Sequence, residues 1–163
     1  MEILDIVNES DEVVGRAGRD EVFANKLPRR IVHLFVRNAK NEIALQLRSR
    51  NKSFTPLHWV TSASGHVQAG ESYDDAVRRE CLEETGVDLQ PAFLRKDKFT
   101  SPSGIMFLAT YIATFEGPFN WDTNEVERIQ FFDIPTIYEM IDTGEKFHPE
   151  LLFLLDQHDF RTS

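Results

Sequence analysis

Apolar residues fall along this chain in short runs broken by turn-forming clusters, a pattern that predicts several strands and a few helices. Residues 2–8 and 12–16 read as two short strands around the turn-rich patch Asn8-Glu9-Ser10-Asp11, and residues 18–25 as a brief helix. The apolar-rich runs Ile31–Arg37 and Glu42–Arg48, joined by Asn38-Ala39-Lys40-Asn41, predict a hairpin. A polar, partly basic loop follows over 49–58, then a strand over 59–67 opened by Trp59. Ser72, with Asp75 three residues on, marks the start of a helix. Gly86 marks its stop, where a positive φ is cheap only for glycine. Strands near 92–100 and 105–115 flank the turn Ser101-Pro102-Ser103-Gly104. After a loop over 116–124 come a strand near 126–133 and two helices, 135–142 and 149–158, the second with Pro149 in its first turn. Strands mixed with one central and two terminal helices point to an α+β fold built on a mixed sheet.

The 163 residues are one domain's worth, and 41% of them are hydrophobic, enough for a core without disulfides. No repeat, low-complexity tract or Pro/Gly/Ser linker divides the chain, so residues 1–163 are expected to form a single domain. Lys and Arg number 18 against 27 Asp and Glu, a net charge of −9. Such a surface repels polymeric nucleic acid and anionic membranes, and it suits a protein that binds divalent cations. The one cysteine, Cys81, permits no internal disulfide and suggests a reducing compartment. The N-terminus lacks the basic-then-apolar order of a signal peptide, and runs such as Leu151–Leu155 are far short of a membrane span. The expectation is a cytoplasmic monomer or homodimer with no membrane partner.

Candidate chemistry concentrates on the central helix. At 100° per residue, Glu80, Glu83 and Glu84 share an arc of about 100° on one face. Tyr73, Val77 and Cys81 form an i, i+4, i+8 row beside it, an apolar stripe to bury. Like charges this close cost about 0.2–0.5 kcal/mol per pair even on an exposed helix. A hard divalent cation offsets that cost, because Mg²⁺ takes a few carboxylates and completes its shell with water and substrate phosphates. On spacing alone, a merely solvated acidic face is the competing reading. Arg79 is placed to pair with Glu71 if the preceding loop folds back over the helix. Leu82 fits neither face.

Residues 65–87 also resemble the signature of the Nudix superfamily: Gly, five residues, Glu, seven residues, Arg-Glu, an apolar residue, any residue, Glu-Glu, any residue, Gly, apolar. All seven fixed positions are present as Gly65, Glu71, Arg79, Glu80, Glu83, Glu84 and Gly86. Chance agreement at background usage is on the order of 10⁻⁹ per starting position. Cys81 stands where the family usually has Ile, Leu or Val, and core packing is the expected role of its thiol. The resemblance implies a Nudix fold, a mixed sheet sandwiched between helices with a catalytic loop-helix-loop. It implies hydrolysis of diphosphate linkages in nucleoside diphosphate derivatives or related small phosphorylated molecules, with Mg²⁺ or Mn²⁺. Glu80, Glu83 and Glu84 would then ligate metal, the Gly65 carbonyl would add a ligand, and Glu71 and Arg79 would secure the helix. The general base varies within the family, and Glu125, in Asn124-Glu125-Val126-Glu127, is the candidate here.

Looser similarity over most of residues 2–150 resembles the branch that includes isopentenyl-diphosphate isomerase. It raises an isomerase as the alternative function, with a Nudix-fold binding module as a further one. Against the isomerase, Ser64 stands where that enzyme carries a catalytic cysteine, and Arg29 where a metal-binding histidine is expected; His66 is retained. The carboxylate set that hydrolysis needs is whole. Arg48, Arg50 and Lys52 are candidate phosphate ligands, with ordinary surface charge as the other reading. Trp121 is the candidate for stacking on a base, whereas Trp59 reads as core.

Overall fold

The computed structural model describes residues 2–162. Two short strands, β1 (Ile3–Val7) and β2 (Val13–Gly18), pair antiparallel in a sheet of their own, and α1 (Arg19–Asn25) follows. The main sheet comprises β3 (Arg29–Arg37), β4 (Ile43–Arg48), β5 (Trp59–Val60), β6 (Ala63–His66), β7 (Ala92–Ser101), β8 (Gly104–Thr114) and β9 (Val126–Phe132). It is mixed: β3 runs parallel to β8 from Arg29↔Met106 to Arg37↔Thr114, and the other pairings are antiparallel. The remaining helices are α2 (Tyr73–Thr85), α3 (Ile134–Asp142) and α4 (Pro149–Gln157), with a short 3₁₀ turn after α4.

Alternation along β3 assigns the faces. Ile31 and Phe35 turn into a core with Ile43, Leu45 and Trp59 from the sheet and Ile137, Met140, Leu151 and Leu154 from α3 and α4. Val32, Leu34 and Val36 turn the other way, onto Ala76, Val77 and Cys81 of α2. The fold is therefore the expected α+β sandwich, with Cys81 and Trp59 buried in its cores. Leu82 lies exposed on the far side of α2.

The expected hairpin of β3 and β4 pairs directly only at Val36↔Ala44 and Arg37↔Ile43, then splays. The expected single strand over 59–67 is two strands filling the wedge, β5 on β4 and β6 on β3. Ser62 sits at the step between them. Its hydroxyl donates to the Ala44 carbonyl at 2.6 Å and accepts from the Val36 N–H at 2.8 Å, replacing ladder bonds that the splay removes. Helix α2 spans this opening. Its ends are set locally: the Ser72 hydroxyl accepts from the Asp75 N–H, and Gly86 closes the helix at φ 73°. No helix among the described residues is long and apolar enough to cross a membrane.

Candidate active site

The splay of β3 from β4 determines where the carboxylates of α2 end up. Glu84 projects into the wedge, where one carboxylate oxygen accepts from Gln46 Nε2 at 2.9 Å and from the Ser64 N–H at 3.1 Å. Gln46 is fixed in turn by donating to the Ser62 carbonyl. One turn earlier Glu80, 7% exposed, packs on the backbone of Gly65 in β6. A side chain at position 65 would occupy the space of the Glu80 carboxylate.

Glu80 and Glu84, one helical turn apart, line the same cleft, close enough for the charge of Glu84 to act on Glu80. Burial pushes both above the ordinary glutamate range, and for Glu80 the neighbouring Glu84 charge pushes further in the same direction. Two neighbouring carboxylates, Glu80 buried and Glu84 half-buried, form a donor set suited to a hard divalent cation. Glu83 stands apart. Its exposed carboxylate lies 3.2 Å from Arg79 Nη1, so Glu80 and Glu84 are brought together and Glu83 is held at the rim. Among the described residues, no three His, Cys, Asp or Glu side chains converge as ligands.

Arg79 ties the loop to the helix. Its Nε and Nη2 donate to the two oxygens of Glu71 at 2.7 and 2.9 Å, the forked pair expected from the spacing. Nη2 also reaches the His66 carbonyl at 3.1 Å, and Nη1 holds Glu80 Oε1 at 2.8 Å. Burial raises the Glu71 carboxyl, but Arg79 and the Gln68 N–H outweigh it and hold the group below its usual range. A single guanidinium thus fixes Glu71, Glu80, Glu83 and β6 relative to one another.

Glu80, Glu83 and Glu84, with Ser64 and Gly65, line one side of a cleft of about 810 Å³. Glu125 also lines it, at the mouth, ion-paired with Lys52, and Arg48 lies nearby. The Arg48 guanidinium donates to the Phe54 and Thr55 carbonyls, so it shapes the 49–58 loop while facing the cleft. Two expected substrate contacts are not in the cleft wall. Arg50 is turned away and forked onto Glu127 at 3.0 and 3.3 Å, because a carboxylate on β9 is within reach of its long side chain. Trp121, half-buried, packs against the α2 side of the core, as Phe119 and Phe131 do.

The opposite wall holds residues that the sequence reading did not single out as contacts. His33, on the α4 face of β3, is hydrogen-bonded through Nδ1 to Thr61 at 2.9 Å and through Nε2 to Glu150 at 2.8 Å. His148 caps α4 through the Glu150 N–H. Burial, above all, drops the His148 and His66 imidazoles to about 4, so both are neutral near pH 7. Arg29, Phe23 and Arg19 complete the wall at the α1 end. Arg29 and His33 were legible in principle, as polar residues at every second position of one face of an otherwise apolar strand.

The chain matches the NUDIX domain family over residues 27–155. It is 31% identical over 156 residues to the uncharacterised Nudix hydrolase YfcD of Escherichia coli, covering 93% of this chain and 83% of that one. It is 43% identical over 90 residues to an uncharacterised Nudix hydrolase of Nostoc sp., covering 55% of this chain and 53% of that one. The chain spans about half the length of the first curated relatives it matches, 53%, 58% and 52% of them. A crystal structure from Deinococcus radiodurans superposes with a TM-score of 0.83 at 29% identity, covering 96% of this chain and 98% of that one.

Proposed function

The chain belongs to the Nudix family, and we propose that it is a metal-dependent hydrolase that cleaves a diphosphate linkage in a small phosphorylated molecule. One observation carries the reading: Glu80, buried, and Glu84, half-buried, stand one turn apart at the cleft, a like-charge pair whose cost a bound divalent cation removes. Glu80, Glu84 and the Gly65 carbonyl are the ligands proposed for Mg²⁺, or for Mn²⁺ in its place, with Glu83 joining from the rim. When bound, the cation lowers the pKa of coordinated water and offsets charge on the phosphoryl oxygens.

The protein's own groups do the positioning. Arg79 fixes the Glu80 carboxylate, and Gln46 with the Ser64 N–H fixes that of Glu84, so neither reorients when substrate arrives. Lys52 and Arg48 meet phosphate oxygens at the mouth. Glu125 is the proposed base; it is exposed at the cleft and able to take a proton from an attacking water once Lys52 turns to the substrate. An acidic chain of this charge favours a small substrate over polymeric nucleic acid. The isomerase-like alternative is less well supported: at Ser64 it is the backbone N–H that is engaged, on Glu84, and a hydroxyl there is a poor proton carrier.

The test is phosphate release from a panel of nucleoside di- and triphosphates, nucleotide sugars, dinucleoside polyphosphates and isopentenyl diphosphate, with Mg²⁺ or Mn²⁺. Release that needs the metal and is lost in Glu84→Gln is expected. In the same samples, metal at 100 times its Kd should stabilise the wild type by about 2.7 kcal/mol, and Glu84→Gln by less. Near-full turnover by Glu84→Gln would overturn the assignment, and isomerisation without phosphate release would favour the alternative.

A further inference from the structure

We propose that the α1 end of the cleft is a phosphate subsite, with Arg29 as its principal ligand, that holds a phosphoryl group of the substrate other than the one attacked. This rests on the hydrolase reading and narrows its substrate class: the far portion of the substrate ends in an anionic phosphate, not in a neutral sugar or a base.

Arg29 opens β3 and is 3% exposed, yet no carboxylate lies within ion-pair distance of it among the described residues. Its Nη1 is spent on two backbone carbonyls, Leu27 at 3.2 Å and Ser103 at 2.8 Å. These fix the direction of the guanidinium without neutralising it. Its Nε–H is buried and has no partner at all. A buried guanidinium with an unmet donor, in the wall of an open cleft, lacks one component, an anion with acceptor oxygens.

The neighbours fit that anion and exclude a base. Arg19 and Arg29 both stand over the ring of Phe23, at 4.9 and 5.0 Å from its centroid, and the His66 ring packs on it at 5.4 Å. The ring is therefore taken up by cations and an imidazole, which leaves little face for stacking a nucleobase. Arg19 is exposed and only partly balanced, through Nη1 on Glu2 at 3.2 Å. His66 Nε2 is a second buried nitrogen without a partner in the same wall. The acids on this side are engaged or exposed: Glu150, whose charge also acts on Arg29 from beyond ion-pair distance, pairs with His33 and His148, Glu2 faces Arg19, and Asp20 lies at the exposed start of α1. Two guanidiniums and one unmet imidazole nitrogen match the oxygens of a single phosphoryl group.

Inorganic pyrophosphate, titrated in EDTA, can meet either this end or Lys52 and Arg48 at the mouth, and the Arg29 signal tells the two apart. Binding is read by calorimetry, and its place by the NMR shift of the Arg29 Nε–H. The wild type is expected to bind and to shift that signal. Arg29→Gln should bind at least tenfold more weakly, and Glu84→Gln should bind as the wild type does while losing turnover, which separates failure of the subsite from failure of the hydrolase reading. If Arg29→Gln does not fold, Arg19→Gln replaces it, with a three- to fivefold loss expected. An unmoved Arg29 signal, or wild-type affinity in the folded variant used, overturns the proposal.

Discussion

Gly65→Ala tests whether the position of one carboxylate, and not merely its presence, carries the chemistry. A Cβ built on Gly65 overlaps Cδ and both oxygens of Glu80, and even the farthest, Oε2, would lie only 2.6 Å away. An ordinary contact needs about 3.4 Å, so the carboxylate has to retreat by about 1 Å or more, since Cδ and Oε1 would lie closer still. It is not free to do so at no cost. Arg79 holds Oε1 at 2.8 Å. The backbone of β6 is equally fixed, paired with β3 through Val32↔Gly65. Overpacking of this kind costs about 1–3 kcal/mol, which at this size lowers Tm by roughly 2–12 °C. Displacement on the order of 1 Å of a catalytic group costs about 10²-fold in rate. The assay is metal-dependent phosphate release, giving kcat and KM, beside thermal unfolding of the same preparations. The expected result is a fall in kcat near 10²-fold with a folded protein. A variant keeping at least half the wild-type kcat/KM at an unchanged Tm would show that Glu80 can move freely and that the close packing on Gly65 has no catalytic consequence.

Arg79→Lys should lower kcat about 10–100-fold with little change in KM. A lysine keeps the charge but cannot make the fork to Glu71 and hold Glu80 at once, so steady-state kinetics with a wild-type-like far-UV spectrum is the check. Gly86→Ala should destabilise by about 1–3 kcal/mol in urea unfolding, since φ is 73° there and a Cβ would sit 2.9 Å from the Asn120 carbonyl carbon. Asp11→Asn should cost about 2–3 kcal/mol, because the Asp11 carboxylate receives Arg30 Nε at 2.7 Å, Lys96 Nζ at 2.7 Å and the Tyr73 hydroxyl at 2.8 Å. Burial raises that carboxyl, but Lys96, Arg30 and Tyr73 outweigh it and leave it below its unfolded value near 3.8. Its contribution is therefore complete above about pH 4 and is lost as pH falls through the depressed folded value. The Tm difference between Asp11→Asn and the wild type should shrink below about pH 4; a gap constant down to pH 2 would refute the assignment.

What could be read from the sequence is what depends on neighbours along the chain. The ends of α2 were legible because Ser72, Asp75 and Gly86 act within a turn of the positions they cap. The Arg79–Glu71 fork was legible because both residues belong to one loop-helix unit. The split of residues 59–67 was not. It depends on Ser62 bridging Val36 and Ala44, two residues on other strands, and nothing local distinguishes that serine from a strand-surface one. Arg50 and Trp121 lie outside the cleft wall for a related reason: charge and aromaticity say what a side chain can bind, not which way it faces. Arg50 pairs with Glu127, and Trp121 packs against the α2-side core. Arg29 and His33 were not read as cleft contacts because they sit in an apolar strand, yet they flank Ile31 at every second residue, which puts all three on one face.

The arrangement also separates what holds the protein together from what it does. Stability comes from two apolar layers on the faces of the sheet and from caps at the ends of α2, none of which needs Glu80, Glu84 or Arg29. Those three line one cleft, with two neighbouring carboxylates on one wall and a guanidinium whose Nε–H has no partner on the other. They do not neutralise one another. Arg79 and Gln46 clamp the acids on the α2 side, and the Leu27 and Ser103 carbonyls clamp Arg29 on the α1 side. Opposite charges left to find each other would close the cleft. Held apart on rigid elements, they are both met by one ligand, a phosphorylated compound arriving with its cation.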